Sequence, residues 1–231
     1  MPKLLLQYLL ILTLVNCSLG HAANVQLVAG VQSSQFLNSV NLTESTPTAF
    51  IGGDWSFDNG SYTGVECYLS NADSSQAIAN GCDIYVGYFK EINQTNAISI
   101  QLTRHQYSRA INTDWDFTDL SLSWHPNKTS ILSLTFAENW LDRPYDTFSI
   151  QAEKLIPLAS GFGLNLSASF MEFESAAPVS NLTAAKAAFT FNHQRWITEL
   201  AFIYTDDDQS NILPFDINQP DVLLSIAYRL Y

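Results

Sequence analysis

Positive charge is scarce in this 231-residue sequence, where 10 Lys and Arg stand against 22 Asp and Glu for a formal charge of −12. Binding nucleic acid needs basic groups that neutralise phosphates, so that partner class is excluded, and so is attachment to a membrane through a basic face. Cysteine occurs three times and histidine four times, too sparsely and too far apart to suggest a metal centre or a cofactor. Beyond the first twenty or so residues no apolar run reaches the roughly 20 residues that a spanning helix needs. Yet hydrophobic residues make up 47% of the chain and aromatics 13%, so the apolar surface must be organised in another way.

The start of the chain reads as a secretory signal. Lys3 supplies the positive end, Leu4 to Val15 is almost wholly apolar, and Gly20-His21-Ala22 offers small residues where signal peptidase acts. Cleavage is expected after Ala22, giving a signal peptide at 1–22 and one mature domain at 23–231. Removal takes Lys+Arg from 10 to 9 against 22 acids, and the charge from −12 to −13. Cys17 is a poor lipidation site, because Asn16 stands where a small residue should precede it.

After the signal, apolar and small polar residues alternate from end to end. Clear runs are Ala97-Ile98-Ser99-Ile100-Gln101-Leu102-Thr103, Asp119-Leu120-Ser121-Leu122-Ser123-Trp124, and Gly163-Leu164-Asn165-Leu166-Ser167-Ala168-Ser169-Phe170. A period of two puts the apolar set on one face of a strand, whereas a helix would scatter it. Strands are expected near 24–36, 48–58, 61–70, 81–91, 96–107, 115–125, 129–140, 145–157, 161–173, 182–192, 195–205 and 221–231. Short connections with turn chemistry, such as Asp58-Asn59-Gly60, His125-Pro126-Asn127-Lys128, Ala159-Ser160-Gly161 and Asn192-His193-Gln194, take turns with longer polar links near 37–47, 71–80, 174–181 and 206–220. That rhythm suits an antiparallel transmembrane β-barrel of about 12 strands, with tight periplasmic turns and larger external loops.

Two further features point the same way. In Val222 to Tyr231 the bulky residues Leu224, Ile226, Tyr228 and Leu230 alternate with Ser225, Ala227 and Arg229, and the chain stops on an aromatic. This looks like the final strand that the barrel-assembly machinery of Gram-negative bacteria recognises. Trp55, Trp115, Trp124, Trp140 and Trp196 fall near strand ends, as in the aromatic girdles of bilayer interfaces. Trp115 shares the parity of Asp119, so it requires a bulge or a rim position.

From Phe36 to Asp73 the sequence has a recognisable shape: a strand, a polar loop, Pro47-Thr48-Ala49-Phe50-Ile51-Gly52-Gly53-Asp54-Trp55, the turn Asp58-Asn59-Gly60, then Ser61-Tyr62-Thr63-Gly64-Val65-Glu66 leading to Ser70-Asn71. It resembles the TorF family of outer-membrane porins, whose substrates are undefined. Asp83-Ile84-Tyr85-Val86-Gly87-Tyr88 fits the next strand of that pattern, while Asn38-Ser39 stands where the family has Arg-Gly. The resemblance implies a passive channel in the outer membrane, bounded by lipid and lipopolysaccharide and passing small solutes.

Cys67 and Cys82 are an even pair in an exported chain and so suggest a disulfide. Pairing them directly sets Val65 against Ile84 and Thr63 against Val86 on the lipid side, and Glu66 against Asp83 in the lumen. The same parity sends Asp54, Asp119, Glu153, Glu199, Lys186, Arg195 and Arg229 inward. Acids predominate, which favours a channel preferring cationic or neutral solutes over anions. A closed lumen in which the acids pair with bases is the competing reading. Arg104 lies on the lipid parity, where it could reach lipopolysaccharide phosphates or simply mark the rim. His105 lies on the inner parity, and His125 and His193 lie in turns. No Gly-x-Ser-x-Gly motif occurs, and no local serine–histidine spacing recommends catalysis, so no enzyme is expected. Asp206-Asp207-Asp208 lacks the glycine and distal glutamate of a calcium loop. The channel therefore leads, followed by a non-conducting outer-membrane barrel with a structural or adhesive role, and then by a soluble exported β-sandwich.

Overall fold

The computed structural model describes residues 24–37, 40–43, 46–70, 78–109, 114–140, 144–174, 180–207 and 220–230. The expected signal peptide at 1–22, most of the acidic loop after Asp207, Asn38-Ser39 and Tyr231 lie outside them. The strands are β1 (Asn24–Gln32), β2 (Phe36–Leu37), β3 (Val40–Asn41), β4 (Thr48–Ser56), β5 (Ser61–Ser70), β6 (Ile78–Glu91) and β7 (Ala97–Arg109). They continue as β8 (Asp114–Asn127), β9 (Ser130–Glu138), β10 (Asp146–Pro157), β11 (Phe162–Glu174), β12 (Ser180–His193), β13 (Trp196–Asp207) and β14 (Asp221–Arg229).

Twelve of these form one closed antiparallel barrel: β4 to β14 pair in sequence order, and β1 sits between β4 and β14 to close the ring. One closed sheet excludes the two-sheet sandwich and leaves no strand edge unpaired. Alternation fixes the two faces. Ile100, Leu122, Leu134, Ile150 and Phe170 are successive cross-strand partners on the outside. Each is about half exposed, and together they make a continuous apolar belt far larger than a water-soluble surface carries. One residue along, Ser99, Ser123, Ser133, Gln151 and Ser169 form the matching polar row inside.

The short connections all lie at one end with Asn24 and Arg229. Three use the same device, an asparagine side chain accepting a backbone N–H two residues on: Asn59 from Ser61, Asn93 from Thr95 and Asn127 from Thr129, at 2.9, 3.0 and 2.9 Å. Gly60 and Gly161 have φ of 88° and 86°, which a side chain would strain, and a Cβ on Gly60 would meet the Phe89 carbonyl. The expected turn at 125–128 falls later. β8 runs through Pro126 to Asn127 with a register irregularity after Trp124, where a proline without an N–H is tolerated.

The first expected strand is the largest departure. It ends at Gln32, and the following residues turn inward, forming the two-residue ladder β2–β3. Val40 and Leu42 are completely buried, in one cluster with Tyr107, Trp115, Phe117, Trp140 and Phe173. Those partners come from β7, β8, β11 and the β9–β10 connection, all at inward positions, so the hairpin lies inside the barrel at the long-loop end. This also corrects the aromatic girdle. Trp115 and Trp140 are interior, Trp115 with no bulge, whereas Trp124 and Trp196 are exposed outward near the short-turn end.

Candidate functional site in the barrel interior

Strand register determines which inward groups meet. Asp54 on β4, Glu66 on β5 and Asp83 on β6 lie on three adjacent strands, with Glu66 directly opposite Asp83. Asp54 is exposed to the open lower lumen and accepts a hydrogen bond from the Tyr85 hydroxyl. Asp83 accepts from Tyr68 at 2.9 Å and from Tyr107 at 2.7 Å.

His105 sits opposite Asp83 on β7 and binds it through Nδ1 at 2.7 Å, while its Nε2 reaches Asp119 on β8 at 2.8 Å. Both contacts are N–H donations only when the ring carries two protons. The imidazole stacks on Phe117 with ring centres 4.2 Å apart, and its side chain is 5% exposed. Asp54, Glu66, Asp83 and Asp119 therefore share one wall, cross-linked by tyrosines and His105.

The remaining expected residues are dispersed. Lys186 on β12 pairs with Glu199 on β13 at 2.7 Å, so these two charges cancel. Glu153 on β10 accepts from Gln151 at 2.8 Å, and Arg229 on β14 donates to Asn192 at 3.3 Å. Arg195 lies in the exposed β12–β13 turn. On the outer face, Arg104 donates to Asp116 at 2.9 Å and to Thr118 at 3.3 Å, so its charge is matched by a neighbour. Cys67 and Cys82 form a disulfide across β5 and β6 on the outer face, with the neighbouring pairs Val65–Ile84 and Glu66–Asp83 in register.

Vertically, the interior divides in two. At the short-turn mouth lies a cavity of about 520 Å³, lined by Phe57, Tyr62, Phe89, Ser99, Gln101 and His125. Ser99 and His125 are 3.1 Å apart there, but among the described residues no carboxylate or amide orients the other ring nitrogen, as a nucleophile–base pair would require. At the long-loop end the β2–β3 hairpin fills the bore. Phe36 packs on Ala188, Ala201, Ile203 and Leu223, Tyr68 packs from the opposite side, and Asn41 lies 3.4 Å from Asp221. Val40 and Leu42 are completely buried, and burial contributes about 1.5–3 kcal/mol each to docking before the entropy of ordering the hairpin is set against it.

Sequence reading found the disulfide and the register that sets Glu66 against Asp83, but missed His105 as the bridge from Asp83 to Asp119 and the hairpin packed inside the bore. Parity places His105 inward, and the β6–β7 register sets it opposite Asp83. The hairpin left a weaker signal, an apolar Val40 and Leu42 in an otherwise polar link.

No family model matches the chain, and no curated protein matches it. Solved structures do. The KdgM porin aligns with TM-score 0.54 and 9% identity over 90% of this chain and 100% of that one. The NanC porin aligns with TM-score 0.54 and 10% identity over 88% and 98%. The COG4313 outer membrane channel from Pseudomonas putida F1 aligns with TM-score 0.50 and 8% identity over 89% and 93%. The chain thus has the fold of outer-membrane porin barrels.

Proposed function

We propose that the protein is a porin-like channel of the Gram-negative outer membrane that prefers small cationic or neutral solutes. The observation that carries this is the acidic wall of Asp54, Glu66 and Asp83 inside a closed ring. Carboxylates against a low-dielectric wall attract cations and repel anions. Lys186 and Glu199 offset each other, Asp119 joins the acidic wall through His105, and Glu153 and Arg229 line other parts of the bore.

The outer apolar belt suits lipid, with lipopolysaccharide around the long-loop end. Leu224, Ile226, Tyr228 and Leu230 give β14 the alternation expected of a strand read by the assembly machinery, after a signal peptide at 1–22 has directed export. Resemblance around Asp54 and Glu66 favours the TorF family within this class. One KdgM porin structure is a complex with oligogalacturonate, a polyanion. The acidic wall here disfavours such a solute.

The apolar seal at the long-loop end favours a second reading, a barrel that does not conduct. Planar-bilayer recordings of the intact protein and of a Val40→Asn/Leu42→Asn variant separate the two. Conductance in either protein, with a reversal potential showing cation preference in a KCl gradient, supports the channel. Anion preference, or silence in both folded proteins, overturns it.

A further inference from the structure

We propose that the β2–β3 hairpin occupies the seat of a small organic cation with an aromatic or aliphatic tail, and that such a solute opens the barrel by displacing it. This rests on the channel reading above. The hairpin is built to leave as a unit. Among the described residues it carries hydrogen bonds of its own: Leu42 N–H to the Gln35 carbonyl at 2.8 Å, Gln35 N–H to the Thr43 hydroxyl at 2.9 Å, and the ladder between Phe36 and Asn41. These survive undocking. What undocking forfeits is chiefly the apolar contact of Val40 and Leu42, together with the Asn41–Asp221 hydrogen bond of 3.4 Å.

The chemistry of the opener follows from what the hairpin uncovers. Once it departs, Tyr107, Trp115, Phe117, Trp140, Met171 and Phe173 line the chamber. An inorganic ion gains nothing from such a wall, and a ligand shifts an equilibrium only through differential affinity for the two states. A solute with an apolar tail replaces the lost contacts. The chamber floor fixes the sign of its charge. Asp83 and Asp119 bracket a single His105 there, leaving the group negative in sum, with Glu66 beside Asp83 and Asp54 further down. A positive head is drawn to these carboxylates and to the faces of the surrounding rings, whereas an anion of the same shape is repelled.

Phenethylammonium, phenethyl alcohol and phenylacetate present one tail with positive, neutral and negative heads. Each is added at the long-loop side of the intact protein in planar bilayers in KCl. Phenethylammonium is expected to raise the open probability at least tenfold, and the other two to have little effect. The Val40→Asn/Leu42→Asn variant is expected to be open without any probe. On the intact protein alone, phenethylammonium is also expected to change the Trp115 and Trp140 fluorescence saturably, a readout that does not depend on the variant folding. An intact protein as open in KCl as the variant overturns the gate, and equal responses to phenylacetate overturn the ligand class. Silence of the folded variant together with silence of the intact protein under every probe overturns the underlying channel reading instead.

Discussion

Replacing His105 with alanine removes the one group that joins Asp83 to Asp119. The imidazole contacts both carboxylates, at 2.7 and 2.8 Å, and the three side chains are 5%, 14% and 11% exposed. Among the described residues the second oxygen of Asp119 is buried without a hydrogen-bond partner, so that carboxylate has no alternative donor. Breaking a buried pair from one side costs about 3–5 kcal/mol, because it strands charge rather than merely losing attraction. The stack on Phe117 is lost as well. His105→Ala is therefore expected to destabilise the barrel by about 3–5 kcal/mol in urea unfolding from phospholipid vesicles, followed by tryptophan fluorescence. Adding Asp83→Asn and Asp119→Asn to that variant removes the stranded charge and should recover a large part of the loss. A single variant within about 1 kcal/mol of the wild type would refute the reasoning.

Leu122 is half exposed in the middle of the outer belt, so Leu122→Arg should cost about 2–4 kcal/mol in a bilayer, against at most about 0.5 on a surface that meets water. The Cys67–Cys82 bridge spans 15 residues, and its removal by Cys67→Ala/Cys82→Ala should lower stability by about 3 kcal/mol in the same assay. An unchanged unfolding midpoint would show that the bridge adds no constraint. Lys186→Gln leaves Glu199 without its partner at 2.7 Å, so the open Val40→Asn/Leu42→Asn background should become more cation-selective. A shift toward anions would contradict the assignment of Glu199 to the bore.

Much of the barrel was legible because its physics is one-dimensional. The alternation of Ile98, Ile100 and Leu102 with Ser99 and Gln101 fixes the two faces, and one direct pair, Cys67 with Cys82, then sets the register of a whole hairpin. Strand ends were legible where turn chemistry is local, as at Asn59-Gly60 and Ser160-Gly161. Pro126 misled because a strand tolerates proline at a bulge. Trp115 and Trp140 misled because tryptophan suits an interface and a packed interior alike. The choice was made by Val40 and Leu42, which meet these rings only after the chain has closed. That contact links residues some 75 to 100 positions apart, and local periodicity carries no trace of it.

The central claim is that the alternating apolar residues face lipid around a polar bore. Nitroxide labels placed singly at 98, 100, 102, 120, 122 and 124, and at the interleaved positions 99, 101, 121 and 123, test it in lipid vesicles by collision with oxygen and with a water-soluble nickel complex. The even-numbered labels are predicted to be accessible to oxygen and shielded from nickel, and the odd-numbered ones to show the reverse order. Nickel accessibility at the even positions equal to that at the odd ones would contradict a membrane-spanning barrel.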